Sequence, residues 1–293
     1  MAFLKGILAT TLVALNTIVL CIPLFLVSAV RALSPAAIKR WLSRKLDRWI
    51  IDGWVATNRA CFGWLDLCDV EVQWQGAERL DRDRWYLVIS NHQSWTDILL
   101  LQTSLYGHIP PIKFFTKREL IWIPFIGLAM RLLGFPFVRR MTREQIAKKP
   151  ELVRADRDAT LAACQEFRNH PTTVLNFLEG TRFTPAKQAR QDARFKHLLN
   201  PKIGGLSYVL SGLSKELDRL VDVTITYPRG TPTFWEFMQG KCPAAHLLVQ
   251  CREIPQDVRA PGNDDEQREV VSPWIEALWR EKDARLGAQT VAL

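Results

Sequence analysis

Tyr86-Leu87-Val88-Ile89-Ser90-Asn91-His92-Gln93-Ser94-Trp95-Thr96-Asp97 is the stretch that decides the reading of this chain. A short run of apolar and β-branched residues predicts a buried central strand. The polar cluster that follows puts a histidine where the strand ends and a carboxylate five residues on, where a helix has begun. A histidine oriented by a buried aspartate is a minimal general base for activating a hydroxyl group. Alone the pair says little, since this spacing arises readily by chance. About ninety residues later Phe177-Leu178-Glu179-Gly180-Thr181-Arg182 repeats the grammar: an apolar strand, a glycine turn and a polar cluster.

Around these two motifs, strands and helices alternate. Strands are expected near Val70–Trp74, Trp85–Ser90, Lys113–Thr116, Thr172–Leu178, Val221–Tyr227 and Leu247–Cys251. Helices are expected over 34–66, 95–106, 127–133, 156–169, 204–217 and 264–286. The 134–140 stretch leads back toward the sheet, and 141–158 reads as a charged connector. This order predicts an α/β fold, a single mixed-sheet domain covered by helices. In such sheets reactive groups gather at the strand C-termini, so His92 and Arg182 are expected at one sheet edge. Arg182 offers a planar fork for phosphate or carboxylate, and Gly180 permits a tight turn. Gly-x-Ser-x-Gly is absent, so the simplest chemistry is direct attack of a deprotonated substrate hydroxyl on an activated acyl group.

The N-terminus differs from the rest. Ile7 to Val30 is 24 residues without a charge, enough to cross a hydrocarbon core of about 30 Å and too long for a usual signal-peptide core. A retained membrane segment is expected. Pro23 interrupts it, leaving one kinked span or a re-entrant helical hairpin. Six Lys and Arg between Arg31 and Arg48 place the following domain on the cytoplasmic side. The 34–66 helix carries Trp41, Leu42, Leu46, Ile50 and Trp54 on one stripe, which suits either a membrane surface or a protein core. The boundary is therefore set between residues 1–66, embedded and interfacial, and a domain over 67–293. A net charge of +9 beside that anchor favours an anionic membrane surface over nucleic acid. Six scattered cysteines without a Cys-x-x-Cys pair suit a reducing compartment and no metal site. Cys164 reads as a buried thiol rather than a nucleophile. His108, His170, His197 and His246 read as structural or solvated.

Asn91-His92-x-Ser94-x-x-Asp97 and Glu179-Gly180-Thr181-Arg182 resemble the first and third blocks of the glycerolipid acyltransferase family, which includes 1-acylglycerol-3-phosphate acyltransferases. Phe115 through Arg140 resembles the second block, and Leu199–Gly205 the stretch after the third. The pattern is most similar to a longer bacterial branch of inner-membrane enzymes. The resemblance implies that His92 is the base and Asp97 its partner. It implies that Lys117, Arg140 and Arg182 contact the acceptor's phosphate, with Glu179, Gly180 and Thr181 forming that loop. It implies an acyl-carrier-protein or coenzyme A thioester as co-substrate, no bound cofactor, and an N-terminal membrane-embedded helical pair, which favours a hairpin at Pro23. Val223–Pro228 is bulkier and more polar than the family's fourth block. Rival readings are another lysophospholipid or lyso-aminolipid acceptor, or a silent lipid-binding protein.

Overall fold

The computed structural model describes residues 1–76, 80–138, 150–192, 194–259 and 264–291. It opens with α1 (Ala2–Ala32), one continuous helix with Pro23 inside it. The chain does not turn back at Pro23. Cys21 and Leu24, on either side of the proline, are buried, and Leu24 packs with Leu46, Ile50, Ile51 and Val55. That packing carries the helix through a residue that would break an isolated one. The partner of α1 is instead the next helical stretch: α2 (Ala36–Leu46), a π turn over Asp47–Ile51, and α3 (Asp52–Trp64). Asn16 Nδ2 donates to Trp54 O and Asn58 Oδ1, both at 3.0 Å, and Trp54 Nε1 donates to Thr17 Oγ1 at 2.9 Å. These bonds pin the two rods in an otherwise apolar seam. α1 is long and apolar enough to cross a membrane, and Leu15, Ile18, Val19, Ile22, Leu26 and Val30 on it remain exposed.

The main sheet has six strands: β1 (Asp69–Gln75), β2 (Trp85–Ser90), β3 (Ile112–Phe114), β6 (Thr173–Phe177), β7 (Leu217–Thr226) and β8 (Ala244–Glu253). Their spatial order is β1-β8-β7-β2-β6-β3. β7, β2, β6 and β3 run parallel, whereas β8 is antiparallel to β7 and parallel to β1. The sheet is mixed, as expected, and covered on both faces. Tyr86, Val88, Val221, Val223 and Ile225 point into the layer shared with α4 (Thr96–Leu105), while Leu87, Ile89 and Leu220 point into the other. The second layer holds α6 (Pro150–Phe167), α8 (Gly204–Gly212) and α11 (Asp264–Val291). A period-2 split of one unbroken apolar run thus serves two cores.

Several boundaries differ from the sequence-based expectation. β4 (Thr116–Lys117) and β5 (Phe137–Val138) pair with each other in a separate two-stranded ladder, so 134–138, the described part of the stretch expected to lead back to the main sheet, does not join it. Between them lies α5 (Ile126–Leu132). α6 begins at Pro150, six residues early, with a proline in the first turn where its missing N–H costs nothing. α8 stops at Gly212, where a Cβ would meet Cys164 Cβ at 2.7 Å, and β7 starts four residues early. Short helices among the described residues include a 3₁₀ turn over Arg118–Trp122, α7 (Pro185–Gln188), α9 (Phe234–Met238) and α10 (Gln256–Arg259).

Candidate active site

β2, β6 and β7 end at the same sheet edge, and each delivers part of one cluster. After β2 the loop 91–95 wraps around the Asp97 carboxylate. Asp97 Oδ2 accepts from His92 Nδ1 at 2.8 Å, from Gln93 N at 2.6 Å and from Ser94 N at 2.9 Å. Asp97 lies in the first turn of α4, where the helix dipole favours a negative charge. The five-residue spacing is thus the length of loop needed to bring two N–H groups and a ring nitrogen onto one oxygen. Asp97 is fully buried and His92 nearly so. Holding Nδ1 on the carboxylate leaves Nε2 as the free ring nitrogen, and among the described residues no group bonds it. The imidazole stacks on Phe177, centroids 4.0 Å apart.

The backbone of His92 is fixed from β6. Glu179 Oε1 accepts from His92 N at 2.7 Å and Oε2 from Leu199 N at 3.1 Å, while Phe183 N donates to His92 O at 2.6 Å. Burial pushes the Glu179 carboxyl up to about 7, against the lowering effect of those two N–H bonds; the nearby Asp97 charge adds to the rise. Gly180 closes the turn with φ +67°, its N donating to Phe177 O at 2.9 Å, and a Cβ there would sit 3.0 Å from Lys202 Cδ. Thr181 Oγ1 accepts from Lys187 Nζ at 2.8 Å. Arg182 is exposed, its guanidinium 5.1 Å from the centre of the Trp95 ring. Lys117 lies in β4; its side chain, and the whole of Arg140, fall outside the described residues.

β7 contributes what sequence reasoning did not single out. Tyr227, one residue past the strand, donates its hydroxyl to Asp97 Oδ1 at 2.5 Å and lies 2.9 Å from Thr96 Oγ1. Burial raises its pKa, with the Asp97 charge adding to it, so it stays a donor at neutral pH. Its signal in the sequence was position, a tyrosine at the C-terminal end of a third apolar strand. Asn91 joins the same strands, exchanging two bonds of 2.8 Å with Ile225 N and O. Cys164 is buried between α6 and α8, its thiol pushed up to about 12 by desolvation, and far from nucleophilic.

Next to the cluster lies an apolar cavity of about 200 Å³. Leu20 and Leu24 of α1, Ile50 of the π turn, Ile98 of α4, and Met130 of α5 are among its walls. Ile98 follows Asp97 directly, so the cavity reaches the same helix turn as the carboxylate.

A family model described as Acyltransferase matches residues 71–247, which contain β2, β6 and β7 with every contact above except those to the N-terminal helices. The chain belongs to the acyltransferase family. Family members that resemble it include lysocardiolipin acyltransferase 1 of Mus musculus, 26% identical over 84% of this chain and 63% of that protein. The 1-acyl-sn-glycerol-3-phosphate acyltransferase epsilon of Mus musculus is 24% identical over 68% of this chain and 56% of that protein. The alpha enzyme of Ovis aries is 35% identical over 42% of this chain and 43% of its own length. The chain thus spans less than two thirds of the length of these relatives. In fold, the chain is similar to the 1-acyl-sn-glycerophosphate acyltransferase PlsC of Thermotoga maritima, with a TM-score of 0.52, 22% identity, and coverage of 95% of this chain and 98% of that one.

Proposed function

We propose that this protein transfers a fatty acyl group from a coenzyme A or acyl-carrier-protein thioester to the free hydroxyl of a lysophospholipid, with 1-acylglycerol-3-phosphate as acceptor and phosphatidate as product. His92 Nε2 takes the hydroxyl proton as the oxygen attacks the thioester carbonyl. The resulting imidazolium returns that proton to the departing thiolate as the C–S bond breaks. Asp97 holds the tautomer that keeps Nε2 available and stabilises the transient cation. No metal or bound cofactor is needed. The observation that carries this reading is the buried Asp97 carboxylate on His92 Nδ1 at 2.8 Å; the apolar cavity walled in part by Ile98 of the same helix supports a site for an acyl chain.

The acceptor's phosphate is assigned to Arg182, Lys117 and Arg140, on the loop shaped by Glu179, Gly180 and Thr181. The exposure of Arg182, with its guanidinium 5.1 Å from the centre of the Trp95 ring, supports that role. Residues 1–66 seat the enzyme in the bacterial inner membrane, and 67–293 form the catalytic domain on its cytoplasmic side. The basic residues following α1 support this orientation. A second acceptor, a lysocardiolipin, is favoured by the longer stretch shared with the lysocardiolipin relatives.

The test is acyl transfer by purified wild type and His92→Ala, with mixed acyl thioesters and either acceptor, read by mass spectrometry. Product from wild type alone supports the reading, and its mass reports acceptor and chain length. A folded His92→Ala enzyme with wild-type turnover refutes the mechanism.

A further inference from the structure

The segment between β4 and β5 has a surface that the catalytic reading does not use. Leu120 to Met130 is eleven residues without a charge, and Trp122, Ile123, Pro124, Phe125 and Ile126 form an unbroken exposed run. Trp122 is 84% exposed and Phe125 52%. Five consecutive exposed apolar residues in a water-facing turn are costly.

The backbone of this turn is closed on itself. Ile123 N donates to Leu120 O, Ile126 N to Pro124 O at 2.7 Å, Gly127 N to Ile123 O and Ala129 N to Phe125 O at 2.8 Å. Phe125, at φ +63° and ψ −57°, is the centre of a tight γ-turn. Gly127 is obligatory, since a Cβ there would lie 2.2 Å from Ile121 O. Proline supplies no N–H at 124. A loop that enters hydrocarbon must satisfy its own peptide groups; these four bonds meet part of that demand in a strained turn that projects two aromatic rings.

Its neighbour is α1. Arg31 at the end of α1 donates to Leu132 O at the end of α5, at 2.9 Å. Leu24 of α1 and Ile126 and Met130 of the turn line the same cavity. The exposed apolar surface of α1 is therefore continued by that of the turn. Arg118 and Arg131, both exposed, bracket the uncharged stretch where headgroup phosphates would lie, with Glu119 the one acid between them.

We propose that Leu120–Met130 is a second bilayer-seated element, which inserts Trp122 and Phe125 into the leaflet that holds α1 and opens the apolar cavity sideways to lipid. The occupant of this surface is the acyl layer of a phospholipid leaflet with anionic headgroups. The proposal rests on the membrane reading of α1, and not on the reaction assigned to His92.

The experiment uses the full chain in vesicles of phosphatidylethanolamine and phosphatidylglycerol. An environment-sensitive thiol dye is placed at Phe125→Cys, at Ile18→Cys in α1, and at Gln73→Cys on the exposed side of β1, with labelled wild type giving the native-cysteine background. Lipids carrying a nitroxide on the acyl chain are the quencher. The expected result is at least twofold quenching at positions 125 and 18, and none at 73. Quenching at 18 without quenching at 125 overturns the proposal and leaves the α1 reading standing. Quenching at neither overturns both. A shielded but unquenched probe at 125 whose shielding is lost on dilution assigns the surface to a second copy and also overturns it. As an activity readout, Trp122→Asp/Phe125→Asp should lower turnover of vesicle-embedded acceptor at least tenfold while turnover of a water-soluble short-chain acceptor stays within twofold. Equal loss on both acceptors counts against the proposal.

Discussion

Replacing Tyr227 by Phe removes one oxygen from the interior and tests whether Asp97 must be held from both sides. Asp97 is completely buried. Three donors converge on Oδ2, whereas Tyr227 is the donor to Oδ1 among the described residues. A hydrogen bond to a charged group is worth about 1.5–3 kcal/mol. If all of that is felt in how firmly Asp97 orients His92, kcat falls about ten- to a hundredfold. The assay follows free thiol from an acyl-coenzyme A donor, beside thermal unfolding of the same preparation. An enzyme that loses about 1–3 kcal/mol of stability yet keeps wild-type kcat would refute the reasoning, because Tyr227 would then only fill space.

Three further substitutions probe the supports of that cluster. Glu179 has its pKa raised from 4.5 to about 7, so its contribution to stability is present at low pH and is lost as pH rises through about 7, a change of about 3 kcal/mol; Glu179→Gln should flatten that slope in chemical denaturation while lowering stability overall, since its amide cannot accept from both His92 N and Leu199 N. Gly180→Ala puts a Cβ at φ +67° and 3.0 Å from Lys202, and should cost about 1–3 kcal/mol with a raised acceptor KM. Lys282 Nζ and Asp222 Oδ1 form a fully buried pair at 2.6 Å between α11 and β7. Lys282→Met should destabilise by about 3–5 kcal/mol and the double variant Asp222→Leu/Lys282→Met should recover part of it, since the single change leaves the buried Asp222 with Arg252 Nε at 3.7 Å as its remaining cation among the described residues.

Where residue pattern and physical demand coincide, the sequence was enough. The unbroken apolar run of β2 and the glycine turn after β6 announced two strand ends, and His92 and Asp97 were tied by a spacing that the loop geometry explains. What escaped reading depends on partners distant in sequence. Nothing local marks Tyr227 as a donor to a carboxylate 130 residues earlier. Pro23 left a kinked span and a hairpin open, because a proline breaks an isolated helix, and the family resemblance favoured the hairpin; the burial of Leu24 against Leu46 and Val55 carries the single helix instead. β4 and β5 are two residues each, too short to carry a period, so their pairing apart from the main sheet was invisible. Nothing local marks Asp222 as one half of a buried pair, because its partner Lys282 is brought to it by α11.

Among the described residues, α4 is shared by the polar cluster and the apolar cavity. Its first turn carries Asp97, and the next residue, Ile98, together with Gln102 one turn on, forms part of the cavity wall. A ten-residue helix cannot move one turn without the next, because interior packing transmits displacement rather than absorbing it. A chain seated in the cavity therefore bears on the same turn that sets the tautomer of His92. The bonds from Gln93 N, Ser94 N and Tyr227 to Asp97 oppose any such shift, anchoring the carboxylate from the loop before α4 and from β7. Discrimination between acyl chains by this cavity would consequently be felt at the reacting imidazole, and so in kcat, as well as in how tightly the chain is held.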